Sequence, residues 1–115
     1  MQRDASAPLD EWIMAVNGTL AAAADRVEFD RWYDEVHLPE VLACPGFRWG
    51  RRYLGVPAED GTPFLTLYGI AGPEALDSPE LAAVRGFGPF TADVTFVTRA
   101  YRQSAHARDV VERRR

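Results

Sequence analysis

His37 and Tyr33 stand four residues apart in the segment Phe29-Asp30-Arg31-Trp32-Tyr33-Asp34-Glu35-Val36-His37-Leu38-Pro39-Glu40-Val41. Residues at that spacing lie one helical turn from each other, so an imidazole and a phenol come together among apolar side chains. The inward face of the segment reads as Phe29, Tyr33, Val36 and Glu40, with Trp32 and His37 on its shoulders. A neutral histidine in an apolar pocket takes a proton from carbon or oxygen and returns it elsewhere, which suffices for isomerisation, aldol cyclisation or decarboxylation. Tyr33 could then donate to a developing enolate, and Glu40 could hold one ring nitrogen so that the other faces the substrate. Against this stands the plainer alternative of a core histidine satisfied by backbone groups. The other histidine, His106, falls in a polar C-terminal stretch and is expected to be solvated.

The remaining candidates are binding groups. Trp32, Trp49, Tyr53, Tyr68, Phe87 and Phe90 could form an aromatic wall for a planar ring, although aromatics at such positions also serve as ordinary core. Arg48, Arg51 and Arg52 include neighbours that must point to opposite faces of a strand, and an inward one, taken as Arg52, would bind a carboxylate or phenolate. The alternative is an arginine at the rim or paired at a subunit interface. Cys44 lies about two turns, ~10 Å, beyond His37 and is read as packing. His37 and Glu40 form a helical i,i+3 pair, but no second cluster completes a metal site, so none is expected. All 13 basic residues are arginine, which excludes Schiff-base chemistry and covalent anchoring of pyridoxal phosphate. Gly86-Phe87-Gly88-Pro89-Phe90 matches no phosphate-binding spacing and reads as a turn beside the pocket.

At 115 residues, with 47% hydrophobic and 26% charged side chains, the chain reads as one globular domain. A net charge of -4 argues against nucleic-acid binding, and the closing arginines Arg113 to Arg115 read as a solvated end. No apolar run approaches the ~20 residues of a membrane span. The stretch Met1 to Asp10 lacks a secretory pattern, so the expected compartment is the cytoplasm. A single cysteine precludes an internal disulfide.

The elements that must position these residues follow from pattern and punctuation. Trp12 to Asn17 reads as a strand and Gly18 to Ala24 as a lead into a helix that Asp25-Arg26-Val27-Glu28 opens as a capping box. Pro45-Gly46 ends that helix. Pro39 is expected to push Leu38 from helical dihedrals, kinking the helix and freeing carbonyls near His37. Phe47 to Val56 and Phe64 to Ile70 read as strands joined by a hairpin around Asp60-Gly61, Ser78-Pro79 caps a short helix closed by Gly86, and Asp93 to Arg102 is the last strand. The order is βαββαβ, an α+β, ferredoxin-like arrangement: a four-stranded antiparallel sheet with two helices on one face. Residues 11–103 are the expected domain, flanked by tails at 1–10 and 104–115. The bare sheet face would be apolar and would need cover, most simply from an identical sheet.

Element order, the run Trp32-Tyr33-Asp34-Glu35-Val36-His37-Leu38-Pro39-Glu40 and the following Pro45-Gly46-Phe47 together resemble the EthD-like branch of the dimeric α+β barrel superfamily. The resemblance implies a homodimer whose subunits each hold a small molecule between their helices and their own sheet, with His37 pointing into that pocket. The resemblance does not fix one reaction; taken with the histidine chemistry it leads to the expectation of a cofactor-independent enzyme, of lyase or isomerase type, acting on a small cyclic or aromatic substrate such as a polyketide intermediate or lactone. His37 and Tyr33 would be catalytic, with Trp32, Glu40, Arg52, Tyr68, Phe87 and Phe90 around the substrate. The alternatives are a cofactorless quinol or anthrone monooxygenase, a non-catalytic dimer binding haem through His37 or another small molecule, and a structural dimer with a filled core.

Overall fold

The computed structural model describes residues 11–104; the tails, His106 and the terminal arginines lie outside them. Four strands, β1 (Trp12–Ala21), β2 (Phe47–Leu54), β3 (Gly61–Ile70) and β4 (Val94–Arg102), form one antiparallel sheet in the order β2-β3-β1-β4. Between β1 and β2 runs a helical segment made of α1 (Arg26–Trp32), a π-helical turn (Tyr33–His37) and α2 (Leu38–Leu42). Between β3 and β4 come a 3-10 turn (Pro73–Asp77), α3 (Pro79–Val84) and a second 3-10 turn (Gly88–Asp93). This is the expected βαββαβ order. Met14, Val16 and Leu20 of β1 and Phe64, Thr66, Tyr68 and Ile70 of β3 are buried on the helix side of the two central strands.

Local chemistry accounts for the starts and stops. Asp25 caps α1 by accepting from the Glu28 amide at 3.1 Å, while the Glu28 carboxylate pairs with Arg31 at 3.5 Å rather than reaching back to Asp25. Ser78 caps α3 through the Leu81 amide at 3.0 Å, with Pro79 in the first position and Gly86 past the end at φ +97°.

Three expectations need correction. First, β1 does not end at Asn17: it continues to Ala21, paired from Gly18↔Phe64 to Ala21↔Gly61, so most of the expected lead-in is strand. Gly18 permits this, because a Cβ there would stand 2.4 Å from the Phe64 ring. Second, Leu38 stays helical (φ -59°, ψ -48°) and the segment does not break at Pro39. A wider turn accommodates the proline instead: the Leu38 N–H donates to the Tyr33 carbonyl, five residues back. Third, the buried line is Phe29, Tyr33, His37 and Val41, whereas Val36 is 42% exposed and Glu40 is also exposed. A π turn advances less per residue than an α turn, so four-residue spacing holds one face across it.

Candidate active site

His37 is carried inward by the π turn, and the residue is 5% exposed. Its ring lies flat on Trp32, with centroids 4.8 Å apart and planes 10° from parallel. Tyr33 meets it edge-on at 5.2 Å, and Phe87 lies tilted against it at 5.5 Å. Nδ1 is buried and makes no hydrogen bond; the Glu40 carboxylate is 3.9 Å away, within ion-pair reach but short of a bond. The carbonyls expected to orient the ring do not reach Nδ1. Desolvation pulls the imidazole down to about 4, so at neutral pH it is an uncharged base.

His37 stands at the wall of a cavity of about 30 Å³ that it shares with Met14, Tyr68, Leu81, Phe87, Phe96 and Thr98. That is room for one or two waters. Tyr68, Thr98 and Arg85 are the other polar side chains on this wall. The Tyr68 hydroxyl is buried and makes no hydrogen bond of good geometry, the Tyr33 phenol being a looser polar neighbour. Burial, followed by the neighbouring Tyr33 phenol, pushes the Tyr68 hydroxyl up, so it remains protonated. Tyr33 is differently placed: its hydroxyl shares a 2.7 Å hydrogen bond with Thr66 Oγ1 and its side chain is wholly buried.

Arg52 points inward, as expected of one arginine on this strand, but carboxylates of the chain itself hold it. Nη2 donates to Asp30 at 3.1 Å and Nη1 to Asp34 at 3.0 Å, and the guanidinium covers the Tyr33 ring at 4.1 Å. It borders a larger cavity of about 290 Å³ with Leu20, Arg26, Val27, Phe29 and Phe64, on which His37 does not open. Trp32 and Phe87 flank the imidazole; Phe90 packs edge-on against Phe29 at 5.2 Å without reaching the His37 cavity. Trp49 and Tyr53 fall in register with Gly69 and Leu65 on the sheet face away from the helices. Cys44 donates to the Glu40 carbonyl at 3.5 Å, a packing role. Among the described residues no three His, Cys, Asp or Glu side chains come close enough to hold a metal ion, and no helix is long and apolar enough to cross a membrane.

Sequence reasoning missed Thr66, the two aspartates on Arg52, and Phe96 and Thr98. The last pair had a signal: alternation along β4 places both on one face. Thr66 and the aspartates had none, because their partners lie far along the chain.

No protein-family model and no curated protein matches the chain. Solved structures do. An EthD family protein of Bacillus halodurans superposes with a TM-score of 0.56 and 18% identity over 76% of this chain and 96% of its own. The chain has the ferredoxin-like α+β fold of that EthD protein. Rv0793 from Mycobacterium tuberculosis gives 0.54 and 16%, over 81% of this chain and 95% of its own. SnoaB, a cofactor-independent oxygenase from Streptomyces nogalater, gives 0.49 and 18% over 83% and 97%, too loose a superposition to bear on the chemistry here. The EthD likeness read from Trp32 to Phe47 is thereby borne out at the level of the fold.

Proposed function

We propose that the protein is a cofactor-independent enzyme that moves protons on a small cyclic or aromatic substrate, with His37 as general base. One observation carries the reading: a buried, uncharged imidazole stands on the wall of an apolar cavity with its Nδ1 unbonded and a carboxylate 3.9 Å from it. With Nδ1 turned towards Glu40, Nε2 is left for the substrate. Hydrogen bonds that orient a catalytic base are commonly long before substrate binds. As Nε2 takes a proton, the ring becomes a cation that Glu40 stabilises, which draws the pair together. Isomerisation, cyclisation and decarboxylation all begin with such a transfer.

Space for substrate comes from Phe87. This ring lines the cavity beside His37, and its flanking residues Gly86 and Gly88 hold φ values of +97° and +44°, which glycine adopts without strain. We further propose a dimer formed through the sheet face that carries no helix.

The test measures hydrogen–deuterium exchange of cyclic 1,3-diketones, lactones and hydroxyaryl ketones in D2O, followed by NMR, with oxygen uptake recorded in parallel. The intact protein should accelerate exchange at carbon, and His37→Ala should lose ~100-fold or more of that acceleration. A loss under about tenfold, with the circular dichroism spectrum unchanged, refutes the base assignment. Oxygen uptake that depends on His37 would replace isomerase-type chemistry by a monooxygenase using the same base.

A further inference from the structure

We infer that Tyr68, whose side chain lines the wall it shares with His37, is the oxyanion donor of this site: its hydroxyl donates to the carbonyl oxygen that gains charge when the base removes a neighbouring proton. The inference rests on His37 acting as base and narrows the substrate to a compound with a carbonyl next to its acidic C–H bond. Two phenols compete for the role, and hydrogen bonding separates them. Tyr33 shares its hydroxyl with Thr66, a buried threonine, and is absent from the cavity wall. Tyr68 lines that wall, and its buried hydroxyl makes no hydrogen bond of good geometry, only a looser polar contact with the Tyr33 phenol. A buried hydroxyl without a good hydrogen bond is uncommon in a native fold and calls for a reason.

The Tyr68 ring is also fixed in place. It rises from the central strand β3 with Gly50 of β2 beside it in register, and a Cβ on Gly50 would stand 3.1 Å from the ring and 3.0 Å from Leu38. Phe47 meets it edge-on at 5.6 Å. A donor clamped in this way needs no reorganisation when charge develops, which is the condition for strong oxyanion stabilisation. The step balances without an oxidant. His37 takes the proton, the C–H electron pair becomes the enolate double bond, and the carbonyl π pair moves onto oxygen under the Tyr68 hydrogen bond. The imidazolium then returns the proton to the same carbon or to its conjugate position.

Two readouts test the assignment. The first is binding of 4-nitrophenol, whose phenolate mimics an enolate and whose visible absorbance reports its ionisation. Intact protein should bind the phenolate, Tyr68→Phe should bind it at least tenfold more weakly, and His37→Ala should still bind it while losing exchange. The second is thermal stability: Tyr68→Phe removes a hydroxyl with no good hydrogen bond and should not lower Tm, whereas Tyr33→Phe strands Thr66 and should lower it. Phenolate binding unaffected by Tyr68→Phe, no phenolate binding by the intact protein, or a Tm loss in Tyr68→Phe each overturns the donor role. Exchange that survives in His37→Ala while phenolate binding still depends on Tyr68 would instead remove the base and leave the donor.

Discussion

Burial without a partner separates His37 from an ordinary core histidine, and its titration gives a direct check. The free imidazole titrates near 6.5 and the folded one at about 4. Between those values the unfolded chain binds a proton that the native state refuses, so stability falls as pH drops from 6.5 towards 4 and then levels. The slope approaches 1.36 kcal/mol per pH unit, and the whole window amounts to about 3 kcal/mol. Urea midpoints measured from pH 7 to pH 3.5 should show this loss in the intact protein and a flatter line in His37→Gln; carboxylates titrate in both and cancel in the difference. Parallel lines would mean that His37 takes up its proton in the fold at the same pH as in the unfolded chain. The same depression puts the acid limb of any His37-dependent reaction near pH 4. The histidine was legible in the sequence because its type and spacing are local facts. The different settings of Tyr33 and Tyr68 were not, since that of Tyr33 turns on Thr66, 33 residues away. Arg52 reads the same way: its inward direction follows from strand alternation, while its hold by Asp30 and Asp34 needs the helix laid on the sheet.

Strand order, both caps and the hairpin were legible because each is set by alternation or by a few residues of turn and cap chemistry. Pro39 shows where such reasoning stops. A proline deprives the helix of an N–H and crowds the carbonyl four residues back, and either a break or a wider turn relieves this. Propensity does not choose between them. Packing does: a break would release the line Phe29, Tyr33, His37 and Val41, all buried against the sheet, whereas the π turn keeps all four. The wider turn therefore places the imidazole, as such turns often do at functional sites. Replacing Pro39 by alanine restores the N–H and removes the crowding, so Pro39→Ala should hold or raise Tm. It should also lower His37-dependent exchange severalfold by letting the turn relax to α geometry and rotating the ring off the cavity. A variant with undiminished exchange would show that the proline has no part in aiming His37.

Among the described residues, the helices cover one side of the sheet and leave the other uncovered. Register places Trp49, Gly69, Ile13 and Tyr101 in one row, Arg51, Leu67, Ala15 and Arg99 in the next, and Tyr53, Leu65, Asn17 and Val97 in a third. A groove of about 450 Å³ runs over Ile13, Ala15, Leu65, Leu67 and Val97, and Tyr53, Val97 and Tyr101 are each nearly half exposed. Four strands spaced by ~4.8 Å, each ~30 Å long, present roughly 600 Å² in projection, close to the ~800 Å² that each partner of a stable interface buries. Arg51 lies over the Trp49 ring at 5.1 Å, which shields part of one edge but not the centre. A second copy meeting sheet to sheet would cover that centre with surface of the same composition. Light scattering at micromolar concentration should therefore give twice 12.8 kDa. Leu65→Asp should give a folded monomer, because the half-buried Leu65 sits beside Tyr53 and Asn17, where a lone subunit lets a carboxylate reach water and a dimer would bury it unpaired. An intact protein that scatters as a monomer, or a Leu65→Asp variant that stays dimeric, would place the subunit contact elsewhere and leave this apolar face without its partner.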